Sequence, residues 1–261
     1  MTDLSNAIGF ADVALAVALV AVGAAISRFR GLGLEGDIAV ATVRSFVQLL
    51  AIGYVLAFVF DGRGGLSAVL LLVMVATASL TAGKRAGRVP AARWVAAAAM
   101  AAATAGTLGV LVGLGIVPLE ARAVVPLGSM VLSNAMVAAS LVMTGLRDDL
   151  AAHRREVEAR LSLGQTSHRA SLPWQRRSLR AGMLPIVDST KVVGLVALPG
   201  AMTGMILAGA EPLEAIRLQL VVMYMLLGGN AFAAVVAGHL TVRRLFTAHH
   251  QLVRGLRRVP S

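Results

Sequence analysis

Cysteine is absent from the 261 residues of this chain, which excludes disulfide bridges, thiolate metal ligands and cysteine nucleophiles. Charged residues make up only 14% of the sequence and aromatic residues only 4%. Lysine is rare as well, since Lys84 and Lys191 are the only two. Neither lies in the Gly-x-x-x-x-Gly-Lys-Ser/Thr pattern, in which backbone amides hold a nucleotide phosphate. We therefore expect no phosphate-binding loop of this kind in the chain.

Long apolar segments fill most of the sequence. Hydrophobic residues account for 57% of the chain, and its mean hydropathy is +0.80. A helix needs about 20 mostly apolar residues to cross a bilayer. Seven segments approach or exceed this length: residues 8–27, 38–60, 66–83, 93–117, 124–144, 187–210 and 217–240. They lack the polar stripe of a soluble core helix, so the sequence predicts an all-α, polytopic membrane protein in which residues 1–261 form one transmembrane domain.

The basic residues are distributed unevenly between the connecting loops. A net charge of +11 can indicate nucleic-acid binding, but in a membrane protein cationic loops first report orientation. Most of the 24 lysines and arginines lie on one predicted side, at residues 28–30, 84–93, 147–180 and 243–258. The positive-inside rule assigns that side to the cytoplasm. We expect an external N-terminus, a cytoplasmic C-terminus, a location in the inner (plasma) membrane, contact with lipid, and no nucleic-acid partner.

One hydrophilic stretch, residues 146–184, interrupts the apolar pattern and predicts two cytoplasmic helices. Four of its apolar residues share one stripe of a helix: Leu146, Leu150, Val157 and Leu161. Gly164 should end the first helix, Thr166 should cap the next, and Pro173 should start or bend it. Such an element could lie on anionic lipid through its arginines and Trp174, or it could dock another protein.

Polar residues within the apolar segments are candidates for a transport path, because an ionisable group near a helix centre costs about 2.5 to 3.5 kcal/mol on insertion scales. The candidates are Arg44, Gln48, Asn134, Asp188 and Lys191, together with the helix-breaking pair Pro199 and Gly200. Alternatives stay open at this stage. Arg44 could extend toward the headgroups, Asp188 and Lys191 could neutralise each other, and Pro199 could form a static kink.

Several stretches carry a family resemblance: Arg44 to Leu56, Asn134 to Ala138, Leu161 to Gly164, and above all Leu184 to Gly204. Over nearly its whole length the chain resembles the FetB-type permeases, the membrane subunits of a small ABC transporter family with bacterial iron exporters and plant aluminium-tolerance proteins among its members. The resemblance implies a homodimeric permease subunit that works with a separate ABC ATPase subunit, binds no cofactor, and exports iron or another metal ion at the expense of the partner's ATP.

Other functions remain open beside that one. An ABC permease for a nucleotide sugar or another small solute fits the same resemblance, and an ATP-independent secondary transporter fits the apolar segments. An enzyme is not expected, because the intramembrane polar residues form no cluster of nucleophile, acid and base. The sequence shows no carboxylate-rich cage for a hard cation, so the ligands of a metal ion are unknown. Its methionines are more typical of helix packing than of a soft-metal site.

Glu158, Ala159 and Gly164 keep the spacing of the coupling segment found in many ABC permeases. Through that resemblance the predicted ATPase-coupling residues are Glu158, Ala159, Leu161, Leu163, Gly164, Thr166 and Ala170. Small residues recur at four-residue spacing elsewhere, at Gly109 and Gly113 and at Gly200 and Gly204. That spacing allows close helix approach, either within the chain or between two copies.

Overall fold

The computed structural model describes residues 9–61 and 65–253, and the regular elements in these ranges are helices. In chain order they are α1 (Phe10–Phe29), α2 (Glu35–Asp61), α3 (Gly65–Arg85), α4 (Ala92–Gly113), α5 (Ala121–Ala152), α6 (Arg154–Ser162), α7 (Ser167–Val192), α8 (Gly200–Leu207) and α9 (Pro212–Leu245). The chain divides into two compact units, Met1–Arg63 and Gly64–Ser261. The predicted all-α fold is confirmed.

The first unit holds α1 and α2, which a tight turn connects. The Ser27 hydroxyl at the end of α1 accepts a hydrogen bond from the Leu34 amide at 3.0 Å and donates one to Glu35 Oε1 at 3.1 Å. Gly31 and Gly33 adopt φ of +65° and +67° between them, a conformation that side chains with a Cβ disfavour. The turn therefore fixes where α2 begins.

The second unit is a bundle with α4, α5 and α9 at its centre. Its core relies on small side chains, since Ala96, Ala99 and Ala103 of α4 are fully buried. Helices in lipid gain little from the hydrophobic effect, so association depends on close van der Waals contact, which small residues permit. Met100 and Met143 are fully buried in the same core. Their position agrees with the packing role expected for the methionines.

Five helices in the described residues are long and apolar enough to cross a membrane: Glu35–Phe60, Leu66–Arg85, Ala92–Gly113, Ala121–Ala152 and Pro212–Leu245. A shorter apolar helix covers Ala14–Phe29. These six correspond to predicted segments, although α5 continues to Ala152 where the sequence predicted an end near residue 144. Hydropathy shows where the side chains of a helix become polar. The backbone hydrogen bonds of α5 continue beyond that point, to Ala152.

The predicted segment 187–210 is not one helix. α7 ends at Val192 and α8 begins only at Gly200, with Pro199 as its N-cap residue. Between them Gly194 adopts φ +85° and donates a backbone hydrogen bond to the Ala197 carbonyl at 2.9 Å. The opening expected at the helix-breaking pair Pro199 and Gly200 is present and is wider than a kink, since the break already begins at Val193. Gly194, in the left-handed region, stops α7, and Pro199, which has no N–H to donate, precedes the first residue of α8.

The predicted orientation can be tested with two leucines at opposite predicted faces, Leu163 and Leu119, whose exposed fractions are 83% and 81%. Because the chain has no cysteine, Leu163→Cys and Leu119→Cys each carry a single thiol. In intact cells a membrane-impermeant maleimide should label residue 119 at once and residue 163 only after permeabilisation. External labelling of residue 163 would contradict the topology.

The contact between α5 and α7 should tolerate no added methyl group at Gly182. A Cβ there would lie 2.6 Å from Val142 Cγ2 and 3.0 Å from the Ala138 carbonyl oxygen. We expect Gly182→Ala to cost about 1–3 kcal/mol through overpacking, measured as a lower unfolding temperature in detergent. Gly109→Ala is the matched control, since nothing lies within 4 Å of its Cβ position; equal unfolding temperatures for both variants would refute this packing.

Candidate functional site

The hydrophilic stretch forms a well-packed helical element at one end of the second unit. Its base is a cluster in which Leu146, Leu150 and Val157 are fully buried and Leu161 is packed at the edge. The sequence placed these four residues on one helix, but the helix is interrupted at His153, where α5 ends and α6 begins. The corner turns α6 back over the cluster, so the predicted apolar stripe still faces one core.

Trp174 of α7 packs against α6. Only 6% of the residue is exposed, and its ring lies 5.5 Å from the ring of His153 and 5.3 Å from Arg160 Cζ, a cation–π distance. The alternative in which Trp174 contacts lipid is therefore wrong, because α6 covers the ring. Arg160 also pairs with Glu156 at 2.8 Å, one helical turn away on α6.

The predicted coupling residues divide between the surface and the interior of this element. At its tip, Gly164 adopts φ +83° and the Thr166 hydroxyl accepts from the Arg169 amide at 3.4 Å, the predicted N-cap. The exposed members are Glu158, Ala159, Leu163, Gly164 and Thr166. Ala170 is fully buried, so its side chain packs within the chain and cannot touch a partner. Leu163 gives the tip an apolar, 83% exposed side chain.

The segment after α9 packs against this element and hydrogen-bonds to it. The sequence analysis did not predict this contact. Phe246 and Leu252 pair through an isolated bridge and are both buried in the cluster. The Ser167 amide donates to His250 Nδ1 at 3.3 Å, which connects this strap, residues 246–252, to the start of α7. The available signal was a pair of large apolar residues, Phe246 and Leu252, on either side of the mostly polar residues 247–251.

The predicted path residues do not come together as one group. Arg44 and Gln48 lie one turn apart on α2 of the first unit, both exposed within that unit. In the second unit, Asn134 is half-buried and donates to the Met130 carbonyl of its own helix at 2.9 Å. Asp188 and Lys191 pair with each other at 3.0 Å, with 60% and 66% of their side chains exposed.

A row of polar side chains along the buried face of α9 was missed. Gln219, Asn230 and Thr241 follow at intervals of eleven residues, close to three turns, so they share one face. Each is at least nine-tenths buried. Gln219 Oε1, Asn230 Oδ1 and Thr241 Oγ1, with Ser178 Oγ of α7, have no hydrogen-bond partner among the described residues.

Such groups are costly in the core of a membrane bundle. Burying an amide or hydroxyl without a partner costs about 1–3 kcal/mol in proteins, and lipid offers no replacement. Residues 9–61 and 65–253 contain no group of three histidines, aspartates or glutamates placed to hold a metal ion. The polar row on α9 offers neutral amide and hydroxyl groups, which can hydrogen-bond water or another polar molecule.

The five described helices that are long and apolar enough to cross a membrane define a multi-pass membrane protein. Comparison with known proteins gives the family. Residues 10–246 match the model described as "Uncharacterised protein family (UPF0014)", and the chain belongs to this family. The resemblance inferred from the sequence is thereby confirmed.

Three relatives show the spread of the family. "UPF0014 membrane protein STAR2" of Oryza sativa subsp. japonica is 41% identical over 246 residues, which cover 94% of this chain and 86% of the relative. "Protein ALUMINUM SENSITIVE 3" of Arabidopsis thaliana is 40% identical, covering 94% and 90%. "Probable iron export permease protein FetB" of Escherichia coli strain K12 is 36% identical, covering 93% and 94%. No solved structure matches the chain.

Proposed function

We propose that this chain is the permease subunit of an ATP-driven exporter, with iron or another metal ion as its substrate. The observation that carries the proposal is the similarity to a protein named as an iron export permease, which extends over 93% of this chain and 94% of that relative at 36% identity. The ATP is hydrolysed by a separate ABC subunit, because neither Lys84 nor Lys191 lies in a phosphate-binding loop. Two copies of the permease and the ATPase subunits form the complete transporter.

The α6–α7 element is the proposed docking site for the ATPase. A segment that transmits the movements of an ATPase to the membrane helices must be held firmly in place and must expose a residue for contact with the ATPase. Two observations on the α6–α7 element support this role. Trp174 and the buried cluster fix α6, while Leu163 projects at the tip with 83% of its surface exposed. An apolar side chain of that size gains about 1.5–3 kcal/mol when a partner buries it.

The path is proposed to run along α9 of the second unit, where the unpaired amide and hydroxyl oxygens lie. Neutral oxygens spaced along a helix bind an ion or solute weakly enough that it can enter and also leave. Arg44 and Gln48 on α2, and the break before Pro199 and Gly200, remain proposed contributors from the sequence.

A second candidate substrate is a small polar organic solute such as a nucleotide sugar. The specific observation in its favour is that the unpaired buried groups are amides and hydroxyls, with no cluster of histidines or carboxylates in the described residues. Hard cations such as ferric iron prefer charged oxygen ligands, whereas amides and hydroxyls hydrogen-bond neutral polar groups.

Reconstitution tests the proposal. The chain would be purified with a candidate ABC ATPase subunit and placed in liposomes, and ATP added outside would drive only transporters whose ATPase faces outward. We expect ATP-dependent accumulation of iron in the lumen. Accumulation of a nucleotide sugar instead would establish the second candidate, and movement of solute without ATP would establish a secondary transporter and refute the proposal.

Leu163→Asp should weaken ATPase binding roughly tenfold or more, since a charge replaces an apolar contact of about 1.5–3 kcal/mol. The measurement is the fraction of ATPase that co-purifies with the permease. Leu119→Asp is the matched control, because Leu119 is equally exposed but lies in the α4–α5 loop. An equal loss in both variants, or in neither, would count against α6–α7 as the docking site.

Asn230→Leu should lower the transport rate without lowering the stability of the protein. Removing a buried, unpaired amide oxygen while keeping the side-chain volume should leave the unfolding temperature unchanged or raise it. Transport should fall by roughly tenfold or more if the oxygen serves the solute. Thr104→Val is the control, because the Thr104 hydroxyl already donates to the Met100 carbonyl at 2.9 Å. Normal transport by Asn230→Leu would remove α9 from the path.

A further inference from the structure

The loop between α3 and α4 borders a cationic cavity of about 330 Å³. The cavity is lined by the end of α3, by the loop itself, and by one turn of α5 that contributes Thr144, Arg147 and Asp148. Four cationic side chains line it, Lys84, Arg85, Arg88 and Arg147, against the single carboxylate of Asp148. The lining has a clear excess of positive charge, which a bound anion would neutralise.

Arg147 distinguishes this cavity from an ordinary basic loop. It comes from a different helix, and only 8% of the residue is exposed, whereas Lys84, Arg85 and Arg88 are exposed. Arg147 forms an ion pair with Asp148, whose own side chain is 62% exposed. Burying a guanidinium is costly unless several acceptors surround it. A single half-solvated carboxylate leaves donors of Arg147 available to the cavity.

A second cavity of about 480 Å³ adjoins the same loop and shares Lys84 with the first. Arg93 and Trp94 line it, and 76% of Trp94 is exposed. Tryptophan is enriched at the level of lipid headgroups, where its ring is apolar and its N–H is solvated. Both helices joined by this loop are long and apolar enough to cross a membrane, so the loop lies at a membrane surface.

We propose that these cavities bind the phosphate of an anionic phospholipid headgroup, with Lys84, Arg88 and Arg147 as the donors. Arginine holds phosphate through paired N–H groups, and lysine adds a point charge. Basic pockets between transmembrane helices are known binding places for such headgroups. Two adjoining cavities joined at Lys84 have room for the two phosphates of a doubly anionic lipid. The site does not depend on the transported substrate or on the ATPase.

Native mass spectrometry of the detergent-purified chain tests this binding. Short-chain phosphatidylglycerol, short-chain phosphatidylcholine and inorganic phosphate would be titrated separately. We expect phosphatidylglycerol to bind at least about tenfold more tightly than phosphatidylcholine, the difference made by one charge-assisted contact. Equal affinity for the two lipids would overturn the proposal. Binding of inorganic phosphate as tight as that of phosphatidylglycerol would assign the cavity to a soluble phosphate ligand and overturn the lipid assignment.

The double variant Lys84→Gln with Arg88→Gln should lose this preference, since both side chains are exposed and their removal leaves the core intact. Arg155→Gln with Arg176→Gln removes the same charge from exposed positions on α6 and α7 and should retain it. Equal weakening by the two pairs would show that only net charge matters and would overturn a site at this loop. If the first pair fails to fold, Arg88→Gln alone, with Arg155→Gln as its control, gives the same comparison.

Discussion

Close contact between small side chains holds the second unit together, and its other features depend on it. Helices in lipid cannot rely on water to drive them together. They associate here because alanines of α4 and glycines such as Gly182 and Gly229 let neighbouring side chains approach to van der Waals distance. A core made in this way needs few large apolar groups, so polar side chains on α9 can remain inside it.

Much of the fold could be predicted from the sequence, because bilayer crossing sets a length and a composition that hydropathy detects directly. The segment at 187–210 shows where this fails. Its composition is apolar throughout, yet Gly194 and Pro199 end the hydrogen-bonded ladder, and hydropathy does not respond to hydrogen bonding. The turn at Gly164 and the cap at Thr166 were predictable because both depend on one residue type and its immediate neighbours.

The candidate site was less accessible to sequence reasoning. The pair of Asp188 and Lys191 follows from helical spacing alone, and the structure has it. The row on α9 could not be recognised from the sequence. Whether a buried glutamine, asparagine or threonine finds a hydrogen-bond partner depends on the neighbouring helices and not on its own residue type. The same limit applies to Arg147, which the sequence assigns to a basic stretch and the structure brings to a loop some sixty residues earlier.

α9 is one unbroken helix that carries the buried polar row and ends in the cluster beneath α6. From Leu245 to Gln219 its axis measures about 39 Å at 1.5 Å per residue. A rod of that length amplifies rotation: tilting it by about 5° at the cluster would displace its far end by roughly 3 Å, about the diameter of a water molecule. On the proposal that a solute passes along α9, a small angular change at one surface of the bilayer would therefore be enough to open or close its path near the other.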